Sequence, residues 1–239
     1  MNHRSKVAGR RYRMSHSLTD HVEREVRIAS GAASLAGDLA IPAGAKGIVL
    51  FAHGSGSSRR SPRNVWVAGH LQRSGLATLL FDLLTSDEEA RDARTREHRF
   101  DIELLTRRLL DATRWVDALP DLRALSLGYF GASTGSAAAL SAAAQSGDRV
   151  LAVVSRGGRP DLAGTALPKV TAATLLIVGG RDDVVVGLNQ AALREMTCER
   201  RLAIVPGATH LFEEPGTLQQ VASLAAEWLV EYMIVQSAR

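Results

Sequence analysis

The chain of 239 residues has a single cysteine, Cys198. One cysteine excludes an internal disulfide and a cysteine-rich metal site. Cys198 lies in the helical pattern ALREMTCERR with no acid–base partner nearby in sequence, so it reads as a bystander. Long apolar runs are also missing. The longest, GIVLFA and TLLIVG, have the length of strands and fall far short of the roughly 18 residues of a membrane span. No basic start leads into an apolar segment and a small-residue cleavage site, so a secretory signal is not expected and a cytoplasmic location is. Several ligand signatures are absent as well. There is no GxxxxGK followed by Ser or Thr, no GxGxxG at the first strand–helix junction, no HExxH, no calcium loop and no spaced histidine pair. The expectation is therefore no cofactor and no metal.

The formal charge of +4 is unevenly placed. The first fourteen residues, MNHRSKVAGRRYRM, hold five basic side chains and no acidic one; the remainder has 24 basic and 25 acidic residues, a net of −1. Nucleic acid is thus not an expected partner, because the excess charge belongs to a short arm. Residues 1–21 are expected to be a disordered basic terminus, and residues 22–239 one domain, since neither an internal repeat nor a Pro/Gly/Ser linker divides them.

What is present is an alternation of strands and helices. VEREVRIAS and SLAGDLAIP alternate apolar and polar residues across the turn SGAA, as an antiparallel hairpin does. KGIVLFAHGSG is instead apolar on both faces, as a buried parallel strand is. A helix follows over residues 61–74, entered through Pro62 and closed at Gly75. LATLLFDLL is a strand, TSDEEARDARTREHR reads as a polar connection, and a long amphipathic helix spans about Phe100–Leu119. LRALSLGYF, RVLAVVSRGG, ATLLIVGGRDD and RRLAIVPGATH supply four further strands, with helices at STGSAAALSAAAQ, Gly187–Cys198 and Leu218–Gln236. This order predicts an α/β fold with a mostly parallel central sheet flanked by helices.

In such sheets ligands bind where strands feed into helices. Four loops share that edge: His53-Gly54-Ser55-Gly56, Gly131-Ala132-Ser133-Thr134-Gly135, Gly179-Gly180-Arg181-Asp182-Asp183 and Pro206-Gly207-Ala208-Thr209-His210. They bring a serine, a carboxylate and a histidine together. Ser133 on a tight strand-to-helix turn would be strained, and glycines two residues to either side would give it room. A serine hydroxyl needs a base, and His210 is the candidate; Asp182, preferred over Asp183, would fix the imidazole tautomer. The Thr134 N–H and one N–H from Gly54 or Ser55 would form an oxyanion hole. This reading places the Ser133 hydroxyl within hydrogen-bond reach of His210. The competing readings are that Ser133 merely caps its helix, that His210 is a structural loop residue, and that the fold serves binding alone. His53 reads as a loop-shaping residue rather than a second base.

The segments FAHGSGSSRRSPRN, GYFGASTG, VGGRDDVV and VPGATHLFEEPG resemble those of α/β-hydrolases of the dienelactone-hydrolase-like group, over about Val22 to Val235. The resemblance implies the α/β-hydrolase fold, with Ser133 as nucleophile, Asp182 as acid and His210 as base. The enzymes that give the group its name use a cysteine where this chain has Ser133, so their substrate does not carry over. What it implies is hydrolysis of a carboxylic ester or thioester through an acyl-serine, with amide cleavage by the same triad as a rival.

The substrate should be small or surface-presented. Only Ser155 to Ala172 separates two strands at the place where many relatives insert a helical cap, so the site should be open or covered by small loops such as Leu83 to Arg99. Arg156, Arg159 and Arg181 lie at or just after strand ends and could receive a carboxylate or phosphate; the alternative is that they pair with Asp161, Asp182 or Asp183.

Overall fold

The third strand shows how the sheet is built. β3 (Gly47–Ala52) is buried at all six positions, as its unbroken apolar run requires, and so is β4 (Leu76–Phe81). Each lies between parallel neighbours or beside the hairpin and is covered on both faces. Each fully buried aliphatic side chain there contributes about 1.5–3 kcal/mol. The computed structural model describes residues 21–235, so the basic arm, but for its last residue, lies outside the described residues, as does Gln236.

Eight strands form one sheet in the order β1-β2-β4-β3-β5-β6-β7-β8. β1 (Val22–Ser30) and β2 (Ala33–Ile41) make the antiparallel hairpin, and β2 pairs antiparallel with β4. From β4 onward every pairing is parallel, through β3, β5 (Ser126–Ala132), β6 (Val150–Arg156), β7 (Ala173–Gly179) and β8 (Arg200–Val205). The C-terminal ends of β3, β5, β7 and β8 therefore share one edge, where the four loops gather.

Helices cover both faces. α1 (Pro62–Arg73) and α6 (Thr217–Val230) pack on one, where Val67, Leu71, Val221 and Leu229 meet Phe51, Phe130 and Ile177. α3 (Ile102–Asp117), α4 (Thr134–Ser146) and α5 (Asp183–Glu195) pack on the other. α4 is the most completely buried helix: its first ten residues are all buried, and small side chains such as Ala137, Ala138 and Ala142 let its backbone approach the sheet.

One element departs from the expectation. Ser86–Thr95, within the segment read as a polar connection, is a helix, α2. It has almost no apolar face, and charge and capping hold it instead. Thr85 and Glu88 form a reciprocal capping box, and the first turn carries Asp87, Glu88 and Glu89. The Glu88 carboxylate also receives both terminal nitrogens of the buried Arg108 guanidinium on α3, each at 2.6 Å. The segment between β6 and β7 contains only 3₁₀ turns, Pro160–Lys169, and no helical cap.

Candidate active site

Ser133 is the single residue between β5 and α4, with φ 50° and ψ −122°. A non-glycine residue in this region costs about 1–3 kcal/mol and persists only where its surroundings dictate it. Here they do. The Ser133 N–H donates to the Arg156 carbonyl at 3.2 Å, and the Ser133 carbonyl accepts the N–H groups of Ser136 and Arg159, each at 3.1 Å. The turn also needs close approach. A Cβ on Gly135 would sit 2.1 Å from the Ala52 carbonyl oxygen, and one on Gly131 would sit 2.5 Å from Ser136 Cα. Ser133 occupies the N-cap position of α4 but makes no capping hydrogen bond. Its hydroxyl is not spent on the helix.

The acid and histidine loops press together at Gly179, where a Cβ would meet the carbonyl oxygens of Ala208 and Thr209, each at 2.5 Å. That contact sets Asp182, at the head of α5, beside His210. His210 Nδ1 donates to Asp182 Oδ2 at 2.6 Å, the short distance of a charge-assisted bond. Asp183 lies in the first turn of α5, and it is Asp182 that meets the ring. With Nδ1–H committed, Nε2 is left as the acceptor. Ser133, His210 and Gly54 line one cleft of 570 Å³. The expected Ser133–His210 hydrogen bond is not among those made by the described residues. Such a contact is commonly long in an unliganded site and tightens around substrate.

The loop after β3 lies directly over the turn. A Cβ on Gly54 would come within 2.9 Å of Ser133 Cβ, and the Ser55 and Thr134 hydroxyl oxygens are 3.0 Å apart. Gly54, Ser55 and the head of α4 are thus held against Ser133. His53 shapes this loop. Its Nδ1 donates to the Gly54 carbonyl and its Nε2 accepts the Leu83 N–H, both at 3.0 Å. Burial lowers its pKa, which keeps the ring neutral and fit for this mixed donor–acceptor role.

A second cleft of 440 Å³ adjoins the first across the Gly54–Ser57 segment. Its walls include Leu83, Leu84, Ala90, Ala93 and Leu105, so α2 forms one side of it. α2 is pinned there by charge. The buried Asp92 accepts Arg99 Nε at 2.8 Å and the N–H groups of His98 and Arg99, while Arg108 ties Glu88 to the Leu83 carbonyl. The sequence signal for this wall was the capping box Thr85–Glu88 inside a charge-rich stretch.

The three arginines part company. Arg156 is 8% exposed and lines the larger cleft. Arg159 is held by Asp161 through two bonds, at 2.8 and 2.7 Å. Arg181 is exposed, and its charge helps to hold the Glu214 carboxyl below its usual range, after hydrogen bonds from Thr209. Burial raises the Cys198 thiol pKa, and its nearest polar contact is Thr174, away from both clefts. Among the described residues no three His, Cys, Asp or Glu side chains gather as a metal site would require, and no helix is long and apolar enough to cross a membrane.

The family model of the dienelactone hydrolase family matches residues 35–234. The chain belongs to the dienelactone hydrolase family. The crystal structure of a dienelactone hydrolase from Anabaena variabilis is 59% identical, with a TM-score of 0.87 over 89% of this chain and 99% of that one. Est1E from Butyrivibrio proteoclasticus is 17% identical with a TM-score of 0.74, covering 90% of this chain and 99% of its own, a likeness of fold. Proteins from two strains of Mycobacterium tuberculosis, each named for a phosphoribosyl transferase, are 57% identical over 211 residues. That match takes in 88% of this chain and 47% of theirs, so the chain spans about half the length of these curated relatives. Membership places the chain among hydrolases of the α/β-hydrolase type.

Proposed function

We propose that this chain is a serine hydrolase that cleaves a small carboxylic ester or thioester through an acyl-serine. The observation that carries the reading is the 2.6 Å bond from His210 to Asp182 in a cleft shared with the strained, uncapped Ser133. Ser133 Oγ attacks the carbonyl carbon as its proton passes to His210 Nε2. The negative oxygen that forms is received by the N–H of Thr134, at the positive end of α4, and by an N–H of Gly54 or Ser55. Collapse breaks the bond to the alkoxide or thiolate, which leaves with the proton from His210. Water then repeats the sequence on the acyl-serine, releasing the acid and restoring Ser133. Asp182 keeps the imidazole in the tautomer that accepts at Nε2 and stabilises the imidazolium.

The absence of a helical cap and two clefts of 440 and 570 Å³ suit a small substrate or one presented at a surface. The Mycobacterium relatives carry a transferase name over about twice this length, and the triad lies within the region they share with this chain. A fluorophosphonate probe tests the reading. The native chain should be labelled, while Ser133→Ala should not be and His210→Ala should be labelled far more slowly. An unlabelled native chain, or labelling that survives Ser133→Ala, removes the proposal. A panel of short esters, acyl-thioesters and aminoacyl amides then separates esterase from amidase.

A further inference from the structure

The larger cleft contains a cation that the hydrolytic steps do not use. Arg156 ends β6, and its Nε and Nη1 are buried without a hydrogen-bond partner. Its Nη2 reaches only Asn64 Oδ1, at 3.4 Å. Among the described residues no carboxylate forms an ion pair with it, and the charge it feels is a like one, Arg63. Burial, and then the repulsion from Arg63, push its pKa down to about 10, so the guanidinium is still charged at neutral pH. An ionised side chain in this setting is costly until a counter-charge arrives.

The same cleft is also entered by the head of a helix. α1 is twelve residues long, and its N-cap Ser61 makes no side-chain capping bond. Its first turn contains no acidic residue to offset the dipole. Ser57, Ser58 and Ser61 line the cleft here, and so does Arg63, whose Nε is buried and unpartnered while Nη1 pairs with Glu213 at 3.0 Å. Ser133 and His210 form another part of the same lining.

We propose that the corner between Arg156 and the head of α1 receives a phosphate monoester, so that the ester opened at Ser133 carries a phosphate on its non-reacting end. The proposal rests on the serine-hydrolase reading of the cleft. A carboxylate is planar and best matched by the two parallel N–H groups of an open guanidinium fork. The Arg156 fork is not open in that way: Nη2, which belongs to both parallel donor pairs of the guanidinium, is turned to Asn64, and the two unpartnered nitrogens, Nε and Nη1, do not form a parallel pair. Beside it the cleft is lined by the hydroxyls of Ser57, Ser58 and Ser61, the head of α1 and the guanidiniums of Arg60 and Arg63, with Glu89 as the one carboxylate on the wall. That arrangement suits a tetrahedral group with three acceptor oxygens and a charge near −2.

The test compares three acetate esters built on one three-carbon backbone: acetylglycerol, acetylglycerate and acetylglycerol phosphate. The phosphate ester should exceed the neutral one in kcat/KM by about tenfold or more. Arg156→Gln should collapse that ratio toward one and Arg63→Gln should lower it, while Arg107→Gln, on α3 where its guanidinium is exposed and pairs with Glu103, should leave it as in the native chain. A native ratio near one, a preference for the carboxylate ester, or a ratio untouched by Arg156→Gln overturns the proposal. Calorimetry with inorganic phosphate on Ser133→Ala separates this site from the chemistry. Binding that is lost in Ser133→Ala/Arg156→Gln supports the site whether or not the native chain takes the fluorophosphonate label. No binding overturns the phosphate site even where labelling upholds the hydrolase.

Discussion

Replacing Gly135 by alanine tests the geometry on which the site rests. The new methyl carbon would lie 2.1 Å from the Ala52 carbonyl oxygen and 2.5 Å from that of His53, where ordinary contact begins at 3.4 Å. Both obstacles are backbone, at the end of β3 and the start of its loop, so no side chain can swing away. Either α4 lifts from the sheet or the loop retreats by more than 1 Å, the gap between 2.1 and 3.4 Å. Overpacking of this kind costs about 1–3 kcal/mol, and a backbone clash belongs at the upper end. The alanine regains about 0.5–1 kcal/mol of helix propensity. The net loss is about 2–2.5 kcal/mol, which in a chain of this size lowers Tm by about 4–10 °C. The retreating loop carries Gly54 and Ser55, and a misplacement of about 1 Å at an active site can slow reaction about a hundredfold. Calorimetric melting and the rate of fluorophosphonate labelling read the two effects. Gly187→Ala is the control. It lies within α5 with nothing within 4 Å of its added methyl, so it should stabilise by about 0.5–1 kcal/mol. A Gly135→Ala chain that melts within about 2 °C of the native one and labels at the native rate refutes the close approach.

Three more outcomes follow from particular residues. Ser133→Gly should be more stable than Ser133→Ala by about 1 kcal/mol and melt about 2–4 °C higher, because only glycine adopts φ 50° without strain; equal melting points would mean the turn is unstrained. Asp182→Asn should lower ester turnover by about 10³–10⁴-fold with little change in melting, while Asp183→Asn stays within a few-fold of native; the reverse pattern would transfer the role. Glu88, under the Arg108 guanidinium and the Thr85 N–H, has its carboxyl lowered from 4.5 to about 2. Its contribution is complete above the unfolded value of 4.5 and is lost as pH falls through about 2. Screening at this partly exposed site leaves about 1–2 kcal/mol of the linkage, so Glu88→Gln should flatten that limb of the stability–pH curve; an unchanged limb counts against the pairing.

Much of this architecture was legible because the residues obey simple periods. The alternation in β1 and β2 marks a hairpin, and the unbroken run from Gly47 to Ala52 marks a strand covered on both faces. Three of the four loops follow such a strand and the fourth follows the edge strand β8, so their convergence at one end of the sheet was legible from the order of the elements. α2 escaped the reading because the pattern used to find helices is apolar, and α2 is held by Thr85, Glu88 and Arg108 instead. The arginines show a second limit. Arg156 and Arg159 are three residues apart and look alike in sequence. The last residue of β6 turns its side chain under α1, whereas the next loop sets Arg159 beside Asp161. Only the path of the chain separates a buried lone cation from a satisfied surface pair.

That separation bears on how the site divides its tasks. The reacting group is placed by crowding of the main chain: Gly54, Gly131 and Gly135 each stand where a methyl would strike a neighbour, and Gly179 does the same for the acid and histidine loops. Little can change there without moving Ser133 or His210. The walls are made differently. One cleft takes its apolar lining from the α2 segment, which Asp92, Arg99 and Arg108 pin by charge, and the other takes its cations from the head of α1 and the end of β6. Of these residues only Arg156 also touches the turn, through its carbonyl, which accepts the Ser133 N–H. Substitutions at Arg63, Leu84 or Ala93 should therefore shift which ester is accepted while the labelling rate of Ser133 by a small fluorophosphonate stays close to native. Labelling that falls in step with ester turnover in all three would show that walls and turn form one unit, and that specificity in this fold cannot be altered apart from reactivity.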